Sequence, residues 1–187
     1  MAKKKVVTKA AKKSIKKSAT RKPVKKKATK KTAKKSAPKK VSKHTLINPY
    51  LTFAGNCEEA FNFYKNVFGG KFQYIGRFNE MPPMEGKPMS PEEGQKIMHV
   101  SLPISEESIL MGSDSSEAFG HATVMGNNFS ISVNAPNNSK ADHLYNGLAA
   151  GGRATMPMSI TFWGSYFGML TDKFGIQWMV SVEEKKK

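Results

Sequence analysis

Asn56 and Asn138 stand 82 residues apart, and so do the glycine pairs Gly69-Gly70 and Gly151-Gly152. Between each asparagine and its glycines lies one helical period. In the first copy Cys57, Ala60, Phe61, Tyr64, Val67 and Phe68 share a face. In the second, Ala141, Leu144, Tyr145, Leu148 and Ala149 do. Asn56 is a good N-cap, and Glu59, three residues on, completes a capping box. Asn138 can cap the second helix in the same way. The glycines supply the positive-φ stop, and a cation follows each pair, Lys71 or Arg153. A short β-type run precedes each helix, Leu51-Thr52-Phe53 and Ile131-Ser132-Val133. The chain is therefore an internal duplication, with modules at about 46–114 and 126–183.

After each helix the apolar period falls to two. The expected strands are Phe72–Phe78, Ile97–Ile104 and Ser108–Ser113 in the first module. In the second they are Ala154–Met158, Tyr166–Thr171 and Ile176–Val182. Asp172-Lys173-Phe174-Gly175 is a hairpin turn between the last two. Each module reads as βαβββ. The fold class is α+β, with two curved mixed sheets around a cleft. One strand face is apolar and should pack on the helices, Leu51 and Phe53 in the first strand and Phe129, Ile131 and Val133 in its match. The other carries Tyr50, Thr52, Asn128, Ser130, Gln177 and Met179 rather than Lys and Glu, which suggests a cleft or interface.

The charge is split. Residues 1–43 hold nineteen lysines and Arg21 and no acid, a net +20; the remainder is −3. The first part is low-complexity Lys, Ala, Ser and Thr. It cannot bury enough apolar surface to offset ordering, so it is expected to be disordered. Its clustered cations Lys12, Lys13, Lys16, Lys17, Arg21, Lys25, Lys26, Lys27, Lys30, Lys31, Lys34 and Lys35 resemble the lysine-rich tails of linker histones and bacterial nucleoid proteins. Such a tail neutralises phosphates without reading sequence. One cysteine excludes an internal disulfide and a cysteine-rich zinc site. No apolar run approaches the roughly 18 residues of a membrane span, and the N-terminus has no hydrophobic core segment of the kind a secretory signal needs. The expectation is a cytoplasmic protein with no membrane partner, nucleoid-associated, or nuclear in a eukaryote.

Three segments carry a family resemblance: NPYLTFAGNCEEAFNFY, the MGSD at Met111–Asp114, and TFWGSYFGMLTDKFGIQWMV at Thr161–Val180. Together they resemble the PhnB-like branch of the vicinal-oxygen-chelate superfamily, which includes glyoxalases and bleomycin-resistance proteins. The resemblance runs from about Leu46 to Val182. It implies paired βαβββ modules and, usually, a homodimer. Metal-dependent members carry His, Gln or Glu on the cleft faces of several strands. At the corresponding places this chain has Pro49 or Tyr50, Met111, Asn128 and Met179, so no metal is expected. The branch is often labelled a demethylubiquinone methyltransferase. The chain has no glycine-rich strand-to-helix loop for a methyl-donor nucleotide, so no cofactor is expected.

The expected cleft residues are Tyr50, Thr52, His99, Met111, Asn128, Ser130, Trp163 and Met179. His99, beside Ile97 and Ser101 on its face, is the candidate general base or lone ligand; a sheet histidine held by hydrogen bonds is the plainer reading. Asp114 reads first as a turn cap, and second as a partner of His99 in a non-standard metal site. Cys57 reads as packing. His121 reads as a loop residue and His143 as an outward helix residue. Asn79–Lys96 is a long loop whose Met81, Met84 and Met89 suit an apolar ligand or a dimer partner. The expected function is binding of a small molecule in the cleft, with a polyanion-binding tail. The alternatives are a DNA-associated protein whose domain only dimerises, and a metal-dependent lyase or dioxygenase-type enzyme.

Overall fold

The computed structural model describes residues 46–82, 89–116 and 122–182. All fall in one compact unit. The lysine-rich tail, Met84 and His121 lie outside the described residues.

The first module runs β1 (Tyr50–Phe53), α1 (Cys57–Phe68), β2 (Tyr74–Arg77), a 3-10 turn (Phe78–Glu80), α2 (Pro91–Gln95), β3 (Ile97–Pro103) and β4 (Ile109–Asp114). The second runs β5 (Ile131–Asn134), α3 (Asn138–Ala149), β6 (Arg153–Ile160), β7 (Tyr166–Thr171) and β8 (Gln177–Val182). The sheets have the same strand order, β1-β4-β3-β2 and β5-β8-β7-β6. In both, the strand before the long helix pairs in parallel with the last strand, and the other pairings are antiparallel. This is the α+β duplication the repeat implied. The loop expected at Asn79–Lys96 is broken by structure at both ends, the 3-10 turn and α2, which Ser90 caps through the Glu93 N–H at 3.1 Å.

Each sheet turns one face to a helix, α1 on β3 and β4, α3 on β6, β7 and β8, and the two helices pack together. Gly147 lies at this contact, where a Cβ would come within 3.0 Å of Val67 Cγ1. The core is continuous across the modules. Trp178 of β8 is fully buried against Tyr64 and Phe68 of α1, with ring centroids 5.5 and 5.8 Å away. Phe174, in the β7–β8 turn, meets Phe53, Phe63 and Tyr64 edge to face. Lys173 pairs with Glu59 at 2.7 Å on the surface, a contact worth under about 1 kcal/mol.

Two buried aspartates fix the turns. Asp172 Oδ1 accepts from the N–H groups of Phe174 and Ile176, and its Oδ2 accepts from Tyr64 Oη and Trp178 Nε1, both at 2.8 Å. Asp114 Oδ1 accepts from the N–H groups of Gly55 and Cys57, and its Oδ2 from that of Ile97, all within 3.0 Å.

Four local expectations are corrected. Asn56 makes no side-chain cap bond; Asp114, from the end of β4, takes the first N–H of α1 instead. The second cap is Asn137, whose Oδ1 accepts from the Lys140 N–H at 2.9 Å; Asn138 is the first helical residue. The strand of the second module begins at Ile131, so Phe129 is not a core residue but 61% exposed. Ile97 does not share the face of His99. The β2–β3 register shifts between Gly76 and Arg77, leaving one extra residue, Met98, in β3, and this bulge turns Ile97 into the core.

Candidate functional site

The faces not covered by helices hold the chemistry. On the first sheet, register places Tyr50, Met111, Ser101 and Tyr74 in one row across β1, β4, β3 and β2. Beside it run Thr52, Ser113, His99 and Gly76. Four of the expected residues, Tyr50, Thr52, His99 and Met111, are thus brought together. His99 lies between two aromatic rings, Tyr50 stacked at 5.7 Å and Tyr74 tilted at 5.8 Å. Tyr50 Oη is 3.4 Å from His99 Nδ1. The two tyrosines are 49% and 45% exposed, so the cluster presents phenol faces and edges outward. Gly76 makes room for it: a Cβ there would lie 2.3 Å from the Tyr74 hydroxyl oxygen.

Tyr74 went unnoticed in the sequence. Its signal is the glycine two residues on, but that signal means something only once the register sets Gly76 opposite His99.

On the second sheet the matching row is Ser132, Met179, Met169 and Met156. Its neighbour is Asn134, Ser181, Phe167 and Ser159. Met179 therefore occupies the place that Met111 occupies in the first sheet, as expected. The partner of Tyr50 across the repeat is Ser132, not Asn128. Asn128 and Ser130 precede β5 and lie off the strand. Asn128 instead lines a pocket of about 450 Å³ with Thr52, Leu51, Phe129 and Gln177. Gln177 Nε2 holds this connection by donating to the Phe129 carbonyl at 3.2 Å. Trp163 stands 55% exposed at the β6–β7 turn, its ring 5.9 Å from that of Phe167.

Asp114 and His99 do not form a site. Asp114 is buried on the helix side of the sheet with its oxygens taken by three backbone N–H groups, while His99 faces out. The non-standard metal pair is thereby ruled out. Cys57 is equally committed. Burial pushes its thiol up, and the charges of Asp114 and Glu58 add to this, so the nucleophilic thiolate is suppressed. Burial likewise raises the Tyr64 phenol, with Asp172 next in effect; Tyr64 is a permanent donor.

A divalent ion of the kind used by metal-dependent vicinal-oxygen-chelate enzymes needs imidazole or carboxylate ligands converging from the strands. The equivalent positions here carry Tyr50, Met111, Ser132 and Met179. Two neutral hydroxyls and two thioethers do not fit such an ion. Among the described residues, no three His, Cys, Asp or Glu side chains are grouped to hold one. Among the same residues, no helix is long and apolar enough to cross a membrane.

Comparison with known proteins agrees with the geometry. Residues 45–181 match the family model described as 3-demethylubiquinone-9 3-methyltransferase. The Escherichia coli (strain K12) protein YjdN is 30% identical over 146 residues, covering 75% of this chain and 97% of YjdN. The crystal structure of protein PA1353 from Pseudomonas aeruginosa is similar at 38% identity and a TM-score of 0.63, covering 75% of this chain and 99% of that one. A PhnB protein from Bacillus cereus follows at 25% identity and 0.58, covering 73% and 98%. With the duplicated βαβββ topology and this coverage, the chain belongs to the PhnB-like family of glyoxalase/bleomycin-resistance superfamily domains.

Proposed function

We propose that the domain binds a flat aromatic or amphipathic small molecule on the open face of the first sheet, without a divalent metal. The observation that carries this reading is the His99 imidazole set between Tyr50 and Tyr74. Exposed aromatic faces around an imidazole, whose ring nitrogens can donate or accept, suit stacking plus one directional hydrogen bond. They suit no methyl transfer by themselves, because nothing in the described residues forms a glycine-rich loop opening a helix. The test is a thermal-shift screen of such compounds on the full-length protein, repeated on His99→Ala. Compounds that raise the Tm of the parent and not of the variant support the reading. Compounds indifferent to both His99→Ala and Tyr50→Ala overturn it.

A second property rests on the charge split, +20 in residues 1–43 against −3 in the rest. We propose that the tail binds nucleic acid or another polyanion and gives the protein a cytoplasmic, nucleoid-associated location. Neutralised phosphates predict affinity that falls steeply with salt. Duplex DNA binding by the full chain and by residues 44–187 measures this. Comparable affinity in the shortened protein defeats it. We also propose a homodimer through the globular domain, supported by the exposed apolar residues Phe129, Ile160 and Phe162; light scattering at about 10 µM decides it.

A further inference from the structure

The chain has eleven methionines, yet none of the nine among the described residues is a buried hydrophobic residue of the core. Methionine commonly serves as a flexible core filler. Here the core is filled chiefly by Leu, Ile, Val, Ala and aromatic residues, Met158 packs against its margin, and four other methionines lie on the open faces. Three of them are direct cross-strand neighbours. Met156 of β6 sits opposite Met169 of β7, which sits opposite Met179 of β8. All three are partly buried. The matching row of the first sheet has a single methionine, Met111, between Tyr50 and Ser101. The cluster is thus a property of one module and not of the repeat.

We propose that Met156, Met169 and Met179 form a site for a soft monovalent cation, Cu(I) or Ag(I). Neighbouring side chains on paired strands start with Cβ atoms about 5 Å apart. The unbranched methionine chain lets the two outer sulfurs lean toward the central one. Three neutral thioethers match a soft ion that needs no charge neutralisation, and they discriminate against Zn²⁺, Mg²⁺ and Mn²⁺, which favour imidazole and oxygen. The flanking rows are neutral close by: Asn134, Ser181 and Phe167 on one side, Gln177 and Thr171 on the other. Arg153, at the far end of the second, is exposed on the edge strand. Cys57, the one thiol, is buried in the other module and does not compete. The site is independent of His99 and of the small-molecule reading above.

The test uses the full-length protein without a polyhistidine tag. Cu(I) kept reduced by ascorbate is titrated in competition with a chromophoric Cu(I) chelator, and Ag(I) is followed by the methyl NMR signals of methionine. One equivalent retained, with only the Met156, Met169 and Met179 methyls shifting, is the expected result. Met169→Leu keeps the volume and should cut retention by about tenfold or more. Met111→Leu and His99→Gln should leave it unchanged. Circular dichroism melts confirm that each variant is folded. Failure to retain Cu(I), retention unaltered in folded Met169→Leu, or loss in His99→Gln each overturns the proposal. If Met169→Leu does not fold, Met156→Leu on the edge strand takes its place under the same criteria.

Discussion

The two open faces share topology and register and differ in almost every side chain. Where the first sheet sets Tyr50, Ser101 and Tyr74 around Met111, the second sets Ser132, Met169 and Met156 around Met179. Where the first has His99, the second has Phe167. The helix-facing sides stay apolar by contrast, with Leu102 and Leu170 at matching places and Leu110 answered by Trp178. Duplication fixed the scaffold, because every core residue answers to its neighbours in the packing. The open faces answer to nothing inside the protein, and there the copies are free to serve different chemistry.

The largest effect should separate the two buried aspartates. Asp172→Ala strands a phenol, an indole N–H and two backbone donors at the module junction, and should cost roughly 3–5 kcal/mol in urea unfolding. Asp114→Ala strands three backbone donors within one module and should cost less, about 2–4 kcal/mol. An equal or reversed order breaks the view that the junction is the stronger constraint.

Next come two core glycines, one per sheet. A Cβ at Gly112 would lie 2.6 Å from Phe61 Cε2 and 2.7 Å from the Leu51 carbonyl oxygen, which is backbone. Gly112→Ala should cost about 2–3 kcal/mol. At Gly168 the nearest atom is the flexible Met158 Sδ, at 2.6 Å, with Tyr145 Cε2 at 2.9 Å. Gly168→Ala should cost about 1–2 kcal/mol, read from the same unfolding curves. A larger loss at Gly168 would show that the second sheet is the tighter one.

Smallest in stability are the open faces. Tyr50→Ala, His99→Ala and Phe167→Ala should each change unfolding free energy by about 0.5 kcal/mol or less. Only the first two should abolish small-molecule thermal shifts. Loss of ligand response in Phe167→Ala would mean that the two faces act as one site. Finally, Cys57 should resist iodoacetamide at pH 8 in the native protein and react on unfolding, because burial keeps its thiol protonated.

Much of this was legible before the fold. The two long helices and the β7–β8 turn follow from period and glycine position alone. The residues that went astray did so for local reasons. Asn137-Asn138 offers two equivalent caps, and only backbone direction selects the first. The alternation of Phe129, Ile131 and Val133 continues past the end of the strand into the connection that Gln177 ties down. The face of Ile97 depends on a bulge set by the partner strand. Tyr74 and the methionine row depend on register between strands, and a chain read one residue at a time carries no register. The tail could be read only as composition, and it lies outside the described residues.

The two tryptophans sit at opposite extremes of one molecule. Trp178 is sealed in the junction, touching Tyr64 and Phe68 of the other module and donating to Asp172. Trp163 stands out from a turn stiffened by Thr161, whose Oγ1 donates to the Ser165 carbonyl at 2.9 Å and accepts from the Ser165 N–H at 3.2 Å. The chain therefore carries its own two-colour reporter. Indole emission shifts to the red with exposure, so the blue component should resist acrylamide quenching and vanish only when the modules part. The red component should respond first to whatever settles on the hairpin tip.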